Sequence, residues 1–173
     1  MKTKFNNIYE NYQHAVYGYF FYMTHDEQTA QDLSQETFLK IYLGLNKIKN
    51  DSNLKAWCMT IARNTFLSYA RKKKPYLLGD EIIKENMAAS GKSPEDVILQ
   101  SEKQKEIHRL LLKLKECERT VIILRDYEGL SYEDIGGIME LTETVVKVRI
   151  YRARNKLRKL YEAVSENIKE IDA

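Results

Sequence analysis

Only two prolines occur in the 173 residues, Pro75 and Pro94, and both fall in one stretch, PYLLGDEIIKENMAASGKSP, which also holds Gly79 and Gly91. A proline inside a helix removes a backbone donor and clashes with the preceding turn, so a helix interior excludes it. Its confinement leaves the rest of the chain free to be helical and marks residues 75–100 as a connector between two units. Outside the connector, no run alternates at period two for long enough to suggest a strand. The expected fold is all-α: two small helical domains, 1–74 and 101–173, joined by a flexible linker. At 43% hydrophobic residues, such a chain buries one moderate core or two small ones.

In the first unit, residues 4–23 carry an aromatic-rich apolar pattern through Phe5, Ile8, Tyr9, Tyr12, Val16, Tyr19 and Phe20. Thr24 and Glu27 have the spacing of a capping box and are expected to open a second helix reaching about Leu45. KIKNDSN reads as a loop, and a third helix is expected from Leu54 to about Lys73. Ser93-Pro94, a serine cap with proline at the first helical position, opens the second unit. It continues through Ile107, Leu110, Leu111 and Leu114 and through RTVIILRDY.

The stretch LSYEDIGGIMELTETVVKVRIYRAR, residues 130–154, changes character halfway. Ser131 caps a short helix with Asp134 at the reciprocal position, and Ile135, Ile138 and Met139 form its buried stripe. Gly136 and Gly137 cost a helix roughly 2 kcal/mol against alanine, a cost that close packing is expected to offset. Thr142 then caps a longer helix whose apolar positions, Val146, Ile150, Ala153, Leu157 and Leu160, recur at steps of 4, 3, 4 and 3. Lys147, Arg149, Arg152, Arg154, Lys156, Arg158 and Lys159 flank that stripe on both sides. A short helix, a tight turn and a basic helix form a helix-turn-helix, whose second helix can enter the major groove.

Several function classes are disfavoured. The net charge of +3 is too small to mark the whole chain as a nucleic-acid binder, so the distribution of charge decides. No apolar run is long enough to cross a membrane, and MKTKFNNIYENY lacks the apolar core of a secretory signal. Cys58 and Cys117 show no metal-ligand spacing and read as ordinary buried thiols in a reducing compartment, with a cytoplasmic setting expected. Neither a metal nor a cofactor is expected. Asp32, Gln35 and Glu36 share one exposed helical face, extended by Leu39, while Ala30, Leu33, Phe38, Ile41 and Leu45 supply the buried one. Paired carboxylates can serve acid–base or metal chemistry, but no nucleophile or ligand set accompanies them, so no enzyme is expected. On the third helix Trp57, Asn64, Ser68 and Arg71 fall on one side, followed by RKKK at 71–74; Trp57 reads as core.

LSYEDIGGIM and VKVRIYRARNKLRKL resemble the carboxy-terminal domain of bacterial RNA polymerase sigma factors of the extracytoplasmic-function class, within the sigma-70 family. AQDLSQETFLKIY and AWCMTIARNTFLSYARKKK resemble the amino-terminal core domain of the same family. The chain departs from the family pattern at Glu140, usually glycine, and at Thr142, often proline. It departs again at Thr144-Val145, usually Gly-Thr, and at Lys115, often proline.

The resemblance implies a dissociable subunit that binds core RNA polymerase and directs promoter-specific initiation, with no catalysis of its own. Residues expected at the −35 duplex are Thr144, Lys147, Val148, Arg149, Tyr151, Arg152 and Arg154. For the melted −10 strand the implied residues are Asn50, Asp51 and Ser52 in the loop, with Asn64, Arg71 and Lys72 on the third helix. Asp32, Gln35 and Glu36 are implied to dock on the clamp coiled coil of the polymerase's largest subunit. Further implied partners are promoter DNA and a cognate anti-sigma factor, often membrane-bound. The acidic connector, with Asp80, Glu81, Glu85, Glu95 and Asp96, would thread toward the active-centre and RNA-exit channels. Competing readings are a stand-alone helix-turn-helix regulator, a helical hydrolase using Asp32 and Glu36, and an all-helical adaptor.

Overall fold

The structure, a computed structural model, describes residues 2–48, 53–73 and 102–171. The connector and the Ser93-Pro94 start lie outside the described residues. Among those described there is no strand. The first unit comprises α1 (Lys2–Thr24), α2 (Glu27–Gly44) with a 3-10 turn at Leu45–Lys47, and α3 (Leu54–Lys73). In the second, α4 (Glu102–Leu111) and α5 (Glu116–Ile122) precede α6 (Tyr132–Met139) and α7 (Glu143–Ile171). A π turn at Ile123–Tyr127 continues α5, with Glu128 N–H donating to the Ile123 carbonyl at 3.0 Å.

Val16, Phe20, Leu33, Phe38, Ile41, Met59, Ala62 and Phe66 are buried between α1, α2 and α3, as the apolar periodicity requires. The second half of α1 is different. Gly18 through Met23 are all buried, which a helix packed on one side cannot achieve. Its second side is covered by α5 and the π turn of the other unit. Tyr19 meets Thr120 there, hydroxyl to hydroxyl at 3.4 Å.

Arg119 closes this contact. Its Nη1 donates to the Met23 carbonyl at 2.7 Å, and its other N–H groups donate to the carbonyls of Leu111, Leu112 and Leu114 at 2.9–3.0 Å. The last turn of α1 carries no basic residue, although its free carbonyls and dipole favour a cation. That cation arrives from α5. Burial lowers the Arg119 pKa to about 10, so the guanidinium remains charged at neutral pH.

Helix starts differ from expectation at one place. Thr24 does not cap α2; its hydroxyl donates back to Phe20 C=O at 2.8 Å, within α1. Asp26, in extended backbone, is the cap and accepts from Thr29 N–H at 2.7 Å. The reason is His25, whose left-handed φ of 53° ends α1 one residue later and moves the extended position to Asp26.

The helix-turn-helix forms as expected. Ser131 and Asp134 make the reciprocal capping box at 3.0 and 3.3 Å, and Thr142 accepts from Val145 N–H at 3.4 Å. Val146, Ile150 and Ala153 are fully covered, while Leu157 and Leu160 are half-buried. The two glycines separate. A Cβ on Gly136 would lie 2.7 Å from the Leu141 carbonyl oxygen, whereas Gly137 faces open space. Close packing therefore offsets the helix cost of Gly136 only. Accordingly, Gly136→Ala should lower unfolding free energy by about 2 kcal/mol or more, since backbone must shift. Gly137→Ala should raise it by about 0.4–1 kcal/mol. Urea unfolding of both variants tests the distinction.

Candidate nucleic-acid interface

The outer face of α7 begins directly after the turn. Thr144, Lys147, Val148, Tyr151, Arg152 and Arg154 are exposed there and Arg149 is half-buried. Tyr151 is 68% exposed and, with Val145 and Val148, gives the basic face apolar atoms that could meet thymine methyl groups.

The cations on this helix are not equivalent. Arg154 makes a bidentate ion pair with Asp126 at the π turn, which raises its pKa further. Lys156 is paired with Glu118 at 2.9 Å, and Arg158 donates to Asn155 at 2.7 Å. Lys147 lies 3.6 Å from Glu143 and 5.3 Å from the Tyr132 ring, both contacts exposed enough to exchange for DNA. Arg149 and Arg152 have no hydrogen-bonding or acidic partner among the described residues, so a phosphate or a guanine edge would meet no internal competitor. Sequence spacing alone could not make that distinction.

The turn tolerates the departure at Glu140. This residue adopts φ 57° and ψ 46°, the left-handed conformation that glycine takes without strain. Its N–H and that of Leu141 both donate to the Gly136 carbonyl, so α7 leaves the turn in a fixed direction.

A second polar face lies on α3. Asn64, Arg71 and Lys72 are exposed, and among the described residues Arg71 Nε donates only to the Leu67 carbonyl of its own helix, at 3.3 Å. Trp57 is half-buried against Gly44, where a Cβ would approach the indole to 3.2 Å. It is a packing residue rather than a stacking platform. Asn50, Asp51 and Ser52 lie outside the described residues.

On α2 the structure brings Asp32, Gln35 and Glu36 together on one exposed face, continued by Leu39 and Leu43 at 59% and 69% exposure. Glu36 is held by Lys40 at 2.6 Å, and Asp32 accepts from Gln28 at 3.0 Å. Acids beside uncovered leucines suit a protein surface better than a reaction centre. Among the described residues no group of three His, Cys, Asp or Glu could hold a metal. Cys58 is buried, which pushes its pKa up to about 12, and Cys117 is half-buried; both are free thiols. No described helix is long and apolar enough to cross a membrane.

Sequence reasoning missed one set of contacts that bears on the candidate interface. α3 packs on α6, and its first turn reaches Glu128 just after the π turn. Lys55 Nζ lies 2.9 Å from the Glu128 carboxylate and donates to its carbonyl at 2.6 Å. Arg63 donates to the Ile138 carbonyl at 3.4 Å, and Asn53 donates to Asp134. These polar groups of α3 are thereby held against the helix-turn-helix unit.

An exposed basic helix behind a tight turn and a separate Asn- and Arg-bearing helix thus share one all-α fold. Comparison with known proteins identifies the family. Residues 8–76 match the family model for Sigma-70 region 2, and residues 104–157 that for Sigma-70 region 4. The chain is 34% identical to the RNA polymerase sigma-H factor of Pseudomonas aeruginosa over 171 residues, covering 91% of this chain and 86% of that one. It is 32% identical to the ECF RNA polymerase sigma factor SigW of Bacillus subtilis, covering 90% and 87%. Among solved structures it is similar to the sigma factor RpoE in complex with the anti-sigma factor NepR from Bartonella quintana. There the TM-score is 0.77 at 29% identity, covering 92% of this chain and 97% of that one. The fold is shared also with CnrH in complex with the cytosolic domain of CnrY, at a TM-score of 0.71 and 21% identity.

The chain belongs to the sigma-70 family, in its extracytoplasmic-function class: it is a non-enzymatic factor for promoter-specific transcription initiation. The left-handed turn gives a direct check on the reading of Glu140. Glu140→Gly should stabilise the protein by about 1 kcal/mol, because glycine removes the left-handed penalty. Thermal or urea unfolding should show that gain without a change in helicity.

Proposed function

We propose that α7 reads the −35 duplex with Arg149 and Arg152 as its principal base or phosphate contacts. Lys147, Thr144, Val148 and Tyr151 complete that surface, and Arg154 serves mainly to brace α7 on the π turn. The α3 face, with Asn64, Arg71, Lys72 and the adjoining Asn50–Ser52 loop, takes the unstacked −10 strand. Asp32, Gln35 and Glu36, with Leu39 and Leu43, dock on core RNA polymerase through charge-assisted hydrogen bonds and apolar contact. The observation that carries this reading is the presence of two separate exposed basic faces, Arg71 and Lys72 on α3 and Arg149 and Arg152 on α7, with no acidic partner among the described residues. A stand-alone regulator needs only the second of them.

The arrangement also constrains how the protein works. α3 touches α6 and α6 touches α7, which sets the two reading helices roughly 20 Å apart by ordinary helix spacing. Promoter elements about 25 base pairs apart lie roughly 85 Å apart along a duplex at about 3.4 Å per pair. The two units must therefore separate before both elements are read, and polymerase docking is the event that holds them apart. The similarity to a sigma factor in complex with its anti-sigma factor supports reading the closed form as the inactive one. A cognate anti-sigma factor would act by holding the units in this relation. The protein would act where the polymerase is, in the cytoplasm.

Run-off transcription on genomic fragments with added core polymerase is the test of the whole reading. Arg149→Ala or Arg152→Ala should weaken promoter binding by about 1–3 kcal/mol while leaving core association intact. Transcription that proceeds unchanged in both variants would remove α7 from the duplex. A different signature belongs to Asn64. Asn64→Ala should reduce melting of a fully paired promoter, measured by permanganate reactivity of unpaired thymines. A template mismatched at −10 should recover part of that loss because the unpairing cost, a few kcal/mol, is already met. Melting unaffected by the substitution would make Asn64 structural.

A further inference from the structure

We propose that the seam between the two helical units is an acid-responsive latch in which protonation of His108, buried against the end of α1, releases one unit from the other. Its consequence, uncovering the start of α3, rests on the assignment of α3 to promoter DNA; the opening itself does not.

His108 lies on α4 in the second unit and is fully buried. Its ring is packed against the end of α1 in the first unit, 4.8 Å from Phe21, 4.9 Å from Tyr22 and 4.6 Å from His25, centre to centre. Neither ring nitrogen of His108 makes a hydrogen bond of good geometry, the Phe21 carbonyl being a weak acceptor at best, and Nδ1 of His25 is buried and unpaired. Buried polar nitrogens are ordinarily satisfied, so two adjacent unsatisfied imidazoles at a seam are an exception that requires a reason. A histidine that served packing alone would be served as well by phenylalanine. Switching supplies the reason.

The surrounding charges do not favour a cation. From α1 the facing groups are His25 and Tyr22, whose phenol is pushed up to about 12 and stays neutral. Asp26, beyond His25, is committed to the Thr29 N–H. The π turn presents Tyr127, 4.4 Å from the Tyr22 ring, and Glu128, which is paired with Lys55. From α5 comes the Arg119 guanidinium, a like charge, while Glu106 and Arg109 on α4 pair with each other at 3.2 Å. α7 also packs on α4 but brings no charge that acts on the ring.

Burial is the largest influence and drives His108 down to about 3; His25 and Arg119 push the same way, and the Phe21 carbonyl only partly opposes them. Released to solvent, the imidazole returns to about 6.5. The closed form thus prefers neutral His108, and the open form binds the proton more tightly. Closure is fully favoured above pH 6.5 and loses ground as pH falls below it toward 3. The open-to-closed ratio should rise about tenfold between pH 8 and pH 5.5.

The test uses the full chain with a dye pair on exposed Glu10 and Glu162, introduced without the native cysteines. Single-molecule energy transfer should count about ten times more open molecules, relative to closed, at pH 5.5 than at pH 8. Far-UV circular dichroism should stay constant over that range, which separates opening from acid unfolding. His108→Phe should keep a comparable volume and make the ratio independent of pH. If that variant does not fold, imidazole NMR of the natural chain decides. There His108 should titrate together with opening and below the ordinary imidazole value of about 6.5. A ratio that does not change with pH, or a His108 that titrates near the ordinary imidazole value of about 6.5 while the chain stays closed, would overturn the latch. A chain that opens with acid yet gains no affinity for a −10 single strand would confirm the latch and remove α3 from promoter reading.

Discussion

Four main-chain carbonyls converge on the guanidinium of Arg119, and much of the closed architecture follows from that convergence. Three of them, from Leu111, Leu112 and Leu114, shape the bend between α4 and α5. The fourth, from Met23, belongs to the other unit and ends α1. Hydrogen bonds to a charged donor contribute about 1.5–3 kcal/mol each, and a buried guanidinium without acceptors would be severely destabilising. Separation of the units leaves three bonds intact and exposes the Met23 carbonyl to water. The second unit can therefore keep its shape if the seam opens, as the proposed opening requires.

Legibility of the fold in the sequence varied with the kind of interaction. Helical class, the span of α3, the buried stripes of α2 and α7 and the Ser131 capping box depend on neighbours within a few residues. All of these could be read directly. The α2 cap could not, because the left-handed backbone of His25 moved it from Thr24 to Asp26. Gly136 and Gly137 looked alike until the Leu141 carbonyl distinguished them. The seam was least visible, since its contacts join residues far apart in the chain. One signal was available: YGYFFYM at 17–23 is apolar around the whole helix, a pattern that demands covering on every side.

Charge shows the same limit at the candidate interface. Lys147 through Lys159 form a continuous basic run in sequence, yet Asp126 and Glu118, far from α7 in the chain, hold Arg154 and Lys156 in place. What remains outward is narrower, centred on Arg149 and Arg152. On α3 the reverse applies. Arg63 and Lys55 were not singled out by spacing, and the structure gives them acceptors on the opposite unit. The same seam thus occupies cations beside the α3 face proposed to take the −10 strand. Local physics built each unit, and the contacts between units determine which charges are available.

The central claim is that closure and promoter reading exclude one another. Its most direct measurement is run-off transcription with core polymerase by one doubly substituted protein, Asn53→Cys with Asp134→Cys, in two redox states. These side chains hydrogen-bond across the seam, so a disulfide between them would tie α3 to α6. The oxidised form should bind neither promoter element productively and yield no transcript, and reduction of the same sample should restore it. Equal transcription by the cross-linked and reduced forms would contradict the account.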